Sequence, residues 1–293
     1  MRALSYVLIL LCAALAEPSS GAAQEMQPKQ VDIQYVEPKN AALRPVYEQI
    51  KKAQALEKIQ TLLAPLRLPR RLLIKTEDCD GVSNAWYEED SITVCYEYLD
   101  GIWKNVPAAS TDGIAPVDAL LGPLVDVFLH EVGHAVFDYW QTPLLGREED
   151  AADMFSTYIM LQFDKPEARR LILGNAYQYK GDVRSPVVVQ SMRKFSDVHG
   201  TPSQRYYNVL CLAYGADPVL FADFVASGKL PKDRAEGCEF EYQQVANAFE
   251  RLVVPNLDPD LRKGLHKTWL PPVDTQPVRR SDKTGWRRLL RKN

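Results

Sequence analysis

The apolar residues of this chain recur at more than one spacing, and helical spacing takes over near residue 117. Between Arg44 and Leu63, the residues Tyr47, Ile50, Leu56, Ile59 and Leu63 fall at roughly helical intervals. Pro45 opens that stretch and Pro65 closes it, which predicts one helix. The run RLLIKT over 71–76 is short and apolar and reads as a strand. Two segments, 84–87 and 91–96, flank a Glu-Glu-Asp turn in the layout of a β-hairpin. From Val117 onward the pattern predicts helices over 117–140, 148–163, 166–177, 203–214, 217–226 and 236–253. A few strands followed by many helices is an α+β pattern.

The two ends read differently from the middle. Met1-Arg2 is followed by an uncharged, mostly apolar run from Ala3 to Ala16, then by small-x-small options at Ala14-Leu15-Ala16 and Gly21-Ala22-Ala23. That is the layout of a secretory signal peptide, and the run is short of the roughly 20 residues that cross a bilayer. Leu11 before Cys12 is too large for lipoprotein processing. The expected organisation is a signal over 1–23, a polar Pro-containing linker over 24–43, one domain over 44–255 and a flexible basic tail over 256–293. The expected location is the periplasm or the extracellular medium. The tail from Leu261 carries ten Lys/Arg against two Asp, so its charge is +8 while the whole chain is -3. Pro271, Pro272 and Pro277 argue against a long helix there, leaving a solvated arm or a weak contact with an anionic membrane. The acidic balance of the body argues against a nucleic-acid partner.

Once the signal is removed, four cysteines remain, and an exported chain with an even count suggests disulfides with three connectivities. The local pairing, Cys79 with Cys95 and Cys211 with Cys238, brackets one short structural unit each and is the one expected. A Cys-rich metal site would use C-x-x-C spacing, which the sequence lacks.

The chemistry is concentrated between His130 and Asp153. Residues 130–134 read His-Glu-Val-Gly-His. On a helix, positions i and i+4 share a face, so His130 and His134 can aim both imidazoles at one metal ion. Glu131 sits about one residue step around the helix, where it can reach a metal-activated water as general base. Two of only four histidines fall in this motif. Gly133, costly in mid-helix by roughly 1 kcal/mol against Ala, suggests a close approach to the backbone there.

A catalytic zinc takes three protein ligands and keeps one position open. Glu149 and Asp153 stand i, i+4 at the start of the next helix. Glu149 can complete the coordination while Asp153 accepts the far N–H of a ligating histidine. Glu148 and Asp150 read as acids favouring a helix N-terminus.

HEVGH followed by the EDAAD helix resembles the gluzincin metallopeptidases, in which the Glu of E-x-x-x-D is the third zinc ligand. The order LRLPRRL, Cys79, SNAWY, ITVCYEYL, HEVGHAVFDYW, GREEDAADMF, DVHGTPSQRYYNVLCLAYG and EGCEFEYQQ is more closely similar to a metallopeptidase family of unknown substrate. The resemblance spans about Arg44 to Val254. It implies a thermolysin-like fold, a small sheet with an active-site helix and a helical lower half, and one Zn²⁺ held by His130, His134 and Glu149. It also implies that Asn84, Ala85 and Trp86 lie on the strand that pairs with an extended peptide or protein substrate. Packing of a hairpin by aromatic residues explains the same residues equally well.

The spacing His199-x5-Arg205 is similar to a segment of the prenyl-protein peptidases, with Gly200 in place of their proline. A donor near the metal would stabilise an oxyanion. His199, oriented by Asp197, is the first candidate and Arg205 the second, with Tyr206 or Tyr207 as alternatives. A helix cap and a structural ion pair are the plain readings. The sequence therefore points to an exported zinc peptidase. The alternative is an exported binding protein that keeps zinc as a structural brace, against which stands Glu131, since a brace has no use for a base.

Overall fold

A computed structural model of the chain describes residues 30–180 and 196–262. The expected signal segment, most of the expected basic tail and its expected lipid contact lie outside the described residues.

The fold is α+β, with a small mixed sheet against a mainly helical body. The sheet has four strands, β1 (Val31–Tyr35), β2 (Leu72–Glu77), β3 (Ala85–Glu88) and β4 (Ser91–Cys95), in the order β1-β2-β4-β3. β1 and β4 both run parallel to β2, and β3 pairs antiparallel with β4 as the hairpin pattern predicts. The turn between them places Glu89 and Asp90 at positive φ, 46° and 64°. Alternation sets the buried face of β2: Leu72, Ile74 and Thr76 are fully buried while the residues between them are half-buried.

β1 corrects the expected linker. Val31–Tyr35 adds the strand at one edge, and Val31 enters the core. The sequence V-D-I-Q-Y does alternate, but a polar surrounding with prolines conceals it. The single helix expected over 44–63 is two, α1 (Arg44–Lys52) and α2 (Ala55–Leu63), separated at Gln54, whose φ is 52°. The strand expected to run to Tyr96 stops at Cys95, and Tyr96–Asn105 is a further helix, α3. Tyr96, Leu99 and Ile102 are its buried stripe, spaced three apart.

Helix α4 (Pro116–Tyr139) is the axis of the molecule. It is long and apolar enough to cross a membrane, but 89% of its most apolar window is buried inside the protein, so its apolar surface is core. It packs on α5 (Glu148–Met160) and α6 (Lys165–Gln178). Glycine makes the second contact possible. A Cβ on Gly122 would meet the backbone of α6, with Leu171 O at 2.6 Å, and one on Gly174 would meet the backbone of Asp118. The two helices therefore cross almost backbone to backbone.

Beyond residue 196 come α7 (Pro202–Ala216), two short helices α8 (Ala222–Ala226) and α9 (Lys232–Ala235), and α10 (Cys238–Leu252). The helix expected over 217–226 is only its last five residues, because 217–221 turn on Asp217, whose side chain accepts from the N–H groups of Val219 and Leu220. Thr201 caps α7 with a reciprocal Gln204 contact. Cys211 and Cys238 are bonded with Cα atoms 5.0 Å apart, joining α7 to α10, and Cys79 and Cys95 are bonded at 5.6 Å. Both are the local pairing. The expected boundary at 255 is not a break. Asn256 O accepts from Arg67 N–H and Asp258 N–H donates to Pro65 O, so the chain returns to the body before α11 (Pro259–Arg262).

Candidate metal centre

Three elements meet at one point. α4 supplies His130, Glu131 and His134, α5 supplies Glu148, Glu149 and Asp153, and the start of α7 with the residues before it supplies His199 and Arg205. Gly133 accounts for the close approach of α4 and α5. A Cβ there would lie 3.3 Å from Ala152 Cα and 3.4 Å from the Phe155 ring, so glycine against alanine lets Glu149 reach the histidines.

The Nε2 atoms of His130 and His134 are 3.3 Å apart. Glu149 Oε2 is 3.1 Å from the first and 3.5 Å from the second. His199 Nε2 comes to the same oxygen at 2.9 Å. The imidazoles, His130 first, hold the Glu149 carboxyl far below the usual carboxylate range. Burial alone would lower the pKa of His130, but Asp153 and Glu149 overturn this and raise it to about 10.

Each imidazole is also gripped from behind. His130 Nδ1 is 2.9 Å from Asp153, His134 Nδ1 is 2.8 Å from Glu148, and His199 Nδ1 is 3.2 Å from Asp197. A carboxylate only accepts, so each Nδ1 carries the hydrogen and each Nε2 is turned to Glu149. In metal-free protein His130 faces carboxylates through both nitrogens, which is the physical reason for its raised pKa. A metal ion would take the place of the Nε2 proton.

Glu131 is buried beside these rings and, among the described residues, no hydrogen bond holds its carboxylate. Burial pushes its pKa above the ordinary value, against the pull of His130 and His134.

Arg205 departs from its expected place as an oxyanion donor. Its guanidinium forms a two-point contact with Asp153 at 2.6 and 2.7 Å and lies over the Tyr179 ring. It is committed to the carboxylate behind His130. Burial works against the charge on Asp153, yet His130 and Arg205 outweigh it and keep the pKa low. Tyr206 is buried and Tyr207 packs against the core.

β3 forms the outer edge of the sheet. Cys95 N–H donates to Asn84 O, so by antiparallel alternation Trp86 and Glu88 face β4 with their backbone groups. The backbone of Ala85 and Tyr87 turns outward. Tyr87 fastens the strand to the end of α4 through Asp138, at 2.7 Å.

A family model described as "Putative metallopeptidase" matches residues 35–253. The chain belongs to that family. No curated protein and no solved structure matches it. A metallopeptidase needs a metal ion, and the donor atoms of His130, Glu149 and His199 all lie within 4.8 Å of one another, able to hold one.

Two residues of this cluster escape the sequence reading. Glu148 contacts His134, although its i+4 neighbour is only Ala152. Asp126 stands one turn before His130, buried, and accepts from Ser156 Oγ at 2.6 Å. Burial pushes its carboxyl up, and Asp153 nearby adds to the effect. The i, i+4 spacing from Asp126 to His130 was the available signal.

Proposed function

We propose that the chain is an exported zinc peptidase that hydrolyses peptide bonds. The two disulfides fit an oxidising compartment. One observation carries the reading: His130 Nε2, His134 Nε2 and Glu149 Oε2 stand 3.1–3.5 Å from one another. Donors bound tetrahedrally at zinc distances are about 3.3 Å apart, so the residues fit the ion. When bound, zinc lowers the pKa of a water toward about 7 and polarises a carbonyl.

The protein's own residues supply the rest. Asp153 and Arg205 fix the tautomer and orientation of His130. Glu131, its pKa raised by burial, takes a proton from the attacking water and passes it to the leaving amine. His199, held by Asp197, donates to the oxyanion. An extended peptide pairs with the outward backbone groups of Ala85 and Tyr87. The test is Glu131→Gln: it should bind zinc as the wild type does and lose at least about 10²-fold in turnover on any peptide the wild type cuts. Full turnover by this variant would remove Glu131 as the base.

The approach of His199 Nε2 to Glu149 favours one competing reading, a closed four-ligand site that braces the fold without catalysis. His199→Ala separates them. A peptidase keeps its zinc and loses turnover by about 10²–10³-fold, whereas a brace loses zinc and thermal stability together.

A further inference from the structure

Glu148 is the first residue of α5 and Glu149 is the second. Successive residues on a helix point about 100° apart, so the two carboxylates reach different sides of His134. Glu149 meets its Nε2 and Glu148 meets its Nδ1 at 2.8 Å. Acids collect at helix N-termini for the dipole alone, and α5 begins with three of them. Asp150 follows that pattern, turning back to Arg147 at 2.6 Å. Glu148 does not, since its carboxylate is spent on an imidazole of a different helix.

We propose that Glu148 is a positioning residue for the metal, holding His134 in the Nδ1–H tautomer with Nε2 presented to the ion. This rests on the reading of the site as a metal centre. It mirrors what Asp153 does for His130, with one difference. Asp153 is largely buried and balanced by Arg205, while Glu148 has 54% of its side chain exposed. Removing the Glu148 side chain therefore opens no cavity, and its influence on the metal is open to screening by salt.

The experiment is competition for zinc between a chromophoric chelator and the metal-stripped full chain, for wild type, Glu148→Ala, Glu148→Gln and Asp150→Ala. Glu148→Ala should weaken zinc binding by about 10–100-fold. Glu148→Gln, whose amide oxygen still accepts the Nδ1 hydrogen, should recover part of that loss, and Asp150→Ala should stay within about twofold. The gap between wild type and Glu148→Gln should narrow as ionic strength rises, which a packing role would not cause. Nitrogen-15 spectra of the zinc-loaded protein should show the His134 Nδ1–H exchanging faster in Glu148→Ala. Wild-type affinity in Glu148→Ala overturns the inference, as does an equal loss in Asp150→Ala. A wild type that takes up no zinc overturns the metallopeptidase reading itself, and the two failures are thereby distinct.

Discussion

Burial acts on the neighbours His130 and Glu131 in opposite directions. It resists charge on both, but His130 has two carboxylates against its ring and stays protonated, while Glu131 has its pKa lifted. In the metal-free protein this has a pH consequence with a definite sign. The His130 pKa rises from 6.5 unfolded to about 10 folded, so its contribution to stability is complete below about pH 6.5. It is lost as pH climbs toward 10. Thermal melts in chelator should therefore show a falling midpoint over that window, with a shallower fall in His130→Asn, and a midpoint that rises would contradict the assignment. The zinc-loaded protein should behave oppositely, because the ion displaces the proton.

At this scale the sequence was informative where contacts are local. His130 with His134, and Glu149 with Asp153, are i, i+4 pairs, so one helix face was enough to find them. Glu148 and Arg205 act across elements, and no spacing along the chain reports which helix a side chain will meet. Arg205 went to Asp153 because a buried carboxylate needs a cation more than an open position needs a donor.

Among the elements, the pair α4 and α6 carries the sharpest expectation. Their crossing depends on Gly122 and Gly174, where backbone meets backbone. Gly122→Ala should destabilise the fold by about 3 kcal/mol, near the upper end of overpacking costs, measured by denaturant unfolding. A loss under about 0.5 kcal/mol would mean the helices stand further apart. Gly133→Ala is milder, because its 3.3–3.4 Å neighbours need give only slightly, and its effect should fall on zinc affinity more than on stability. The long helices were legible from their periodicity, and the hairpin from its turn. β1 was hidden because only Val31 is fully buried in a five-residue edge strand. α3 was hidden because it follows a strand without a break, and its aromatic residues suit either structure.

At the scale of the whole molecule, the domain extends at both ends past the expected limits of 44 and 255. β1 joins from one side, and 256–258 return to 65–67 from the other, with Leu257 bridged to Leu66. A chain ending at residue 255 should lose at least about 2 kcal/mol, by thermal or denaturant melts, relative to one ending at 262, counting only the two backbone hydrogen bonds that reach Pro65 and Arg67. Equal stability would show that the return contributes nothing. The general fold class and the i, i+4 pairs of the candidate site are open to sequence reading, since both rest on patterns within single elements. The edges of the domain were not, because they are set by pairing between distant segments.

Elemental mass spectrometry on the chain from residue 24, purified under oxidising conditions with Glu149→Ala beside it, decides whether the site is a three-ligand metal centre. About one zinc per wild-type chain is expected, with clearly weaker retention in Glu149→Ala and both proteins folded by circular dichroism. A folded wild type that holds no zinc after reconstitution would contradict it, and so would a Glu149→Ala protein that retains the metal as tightly as the wild type.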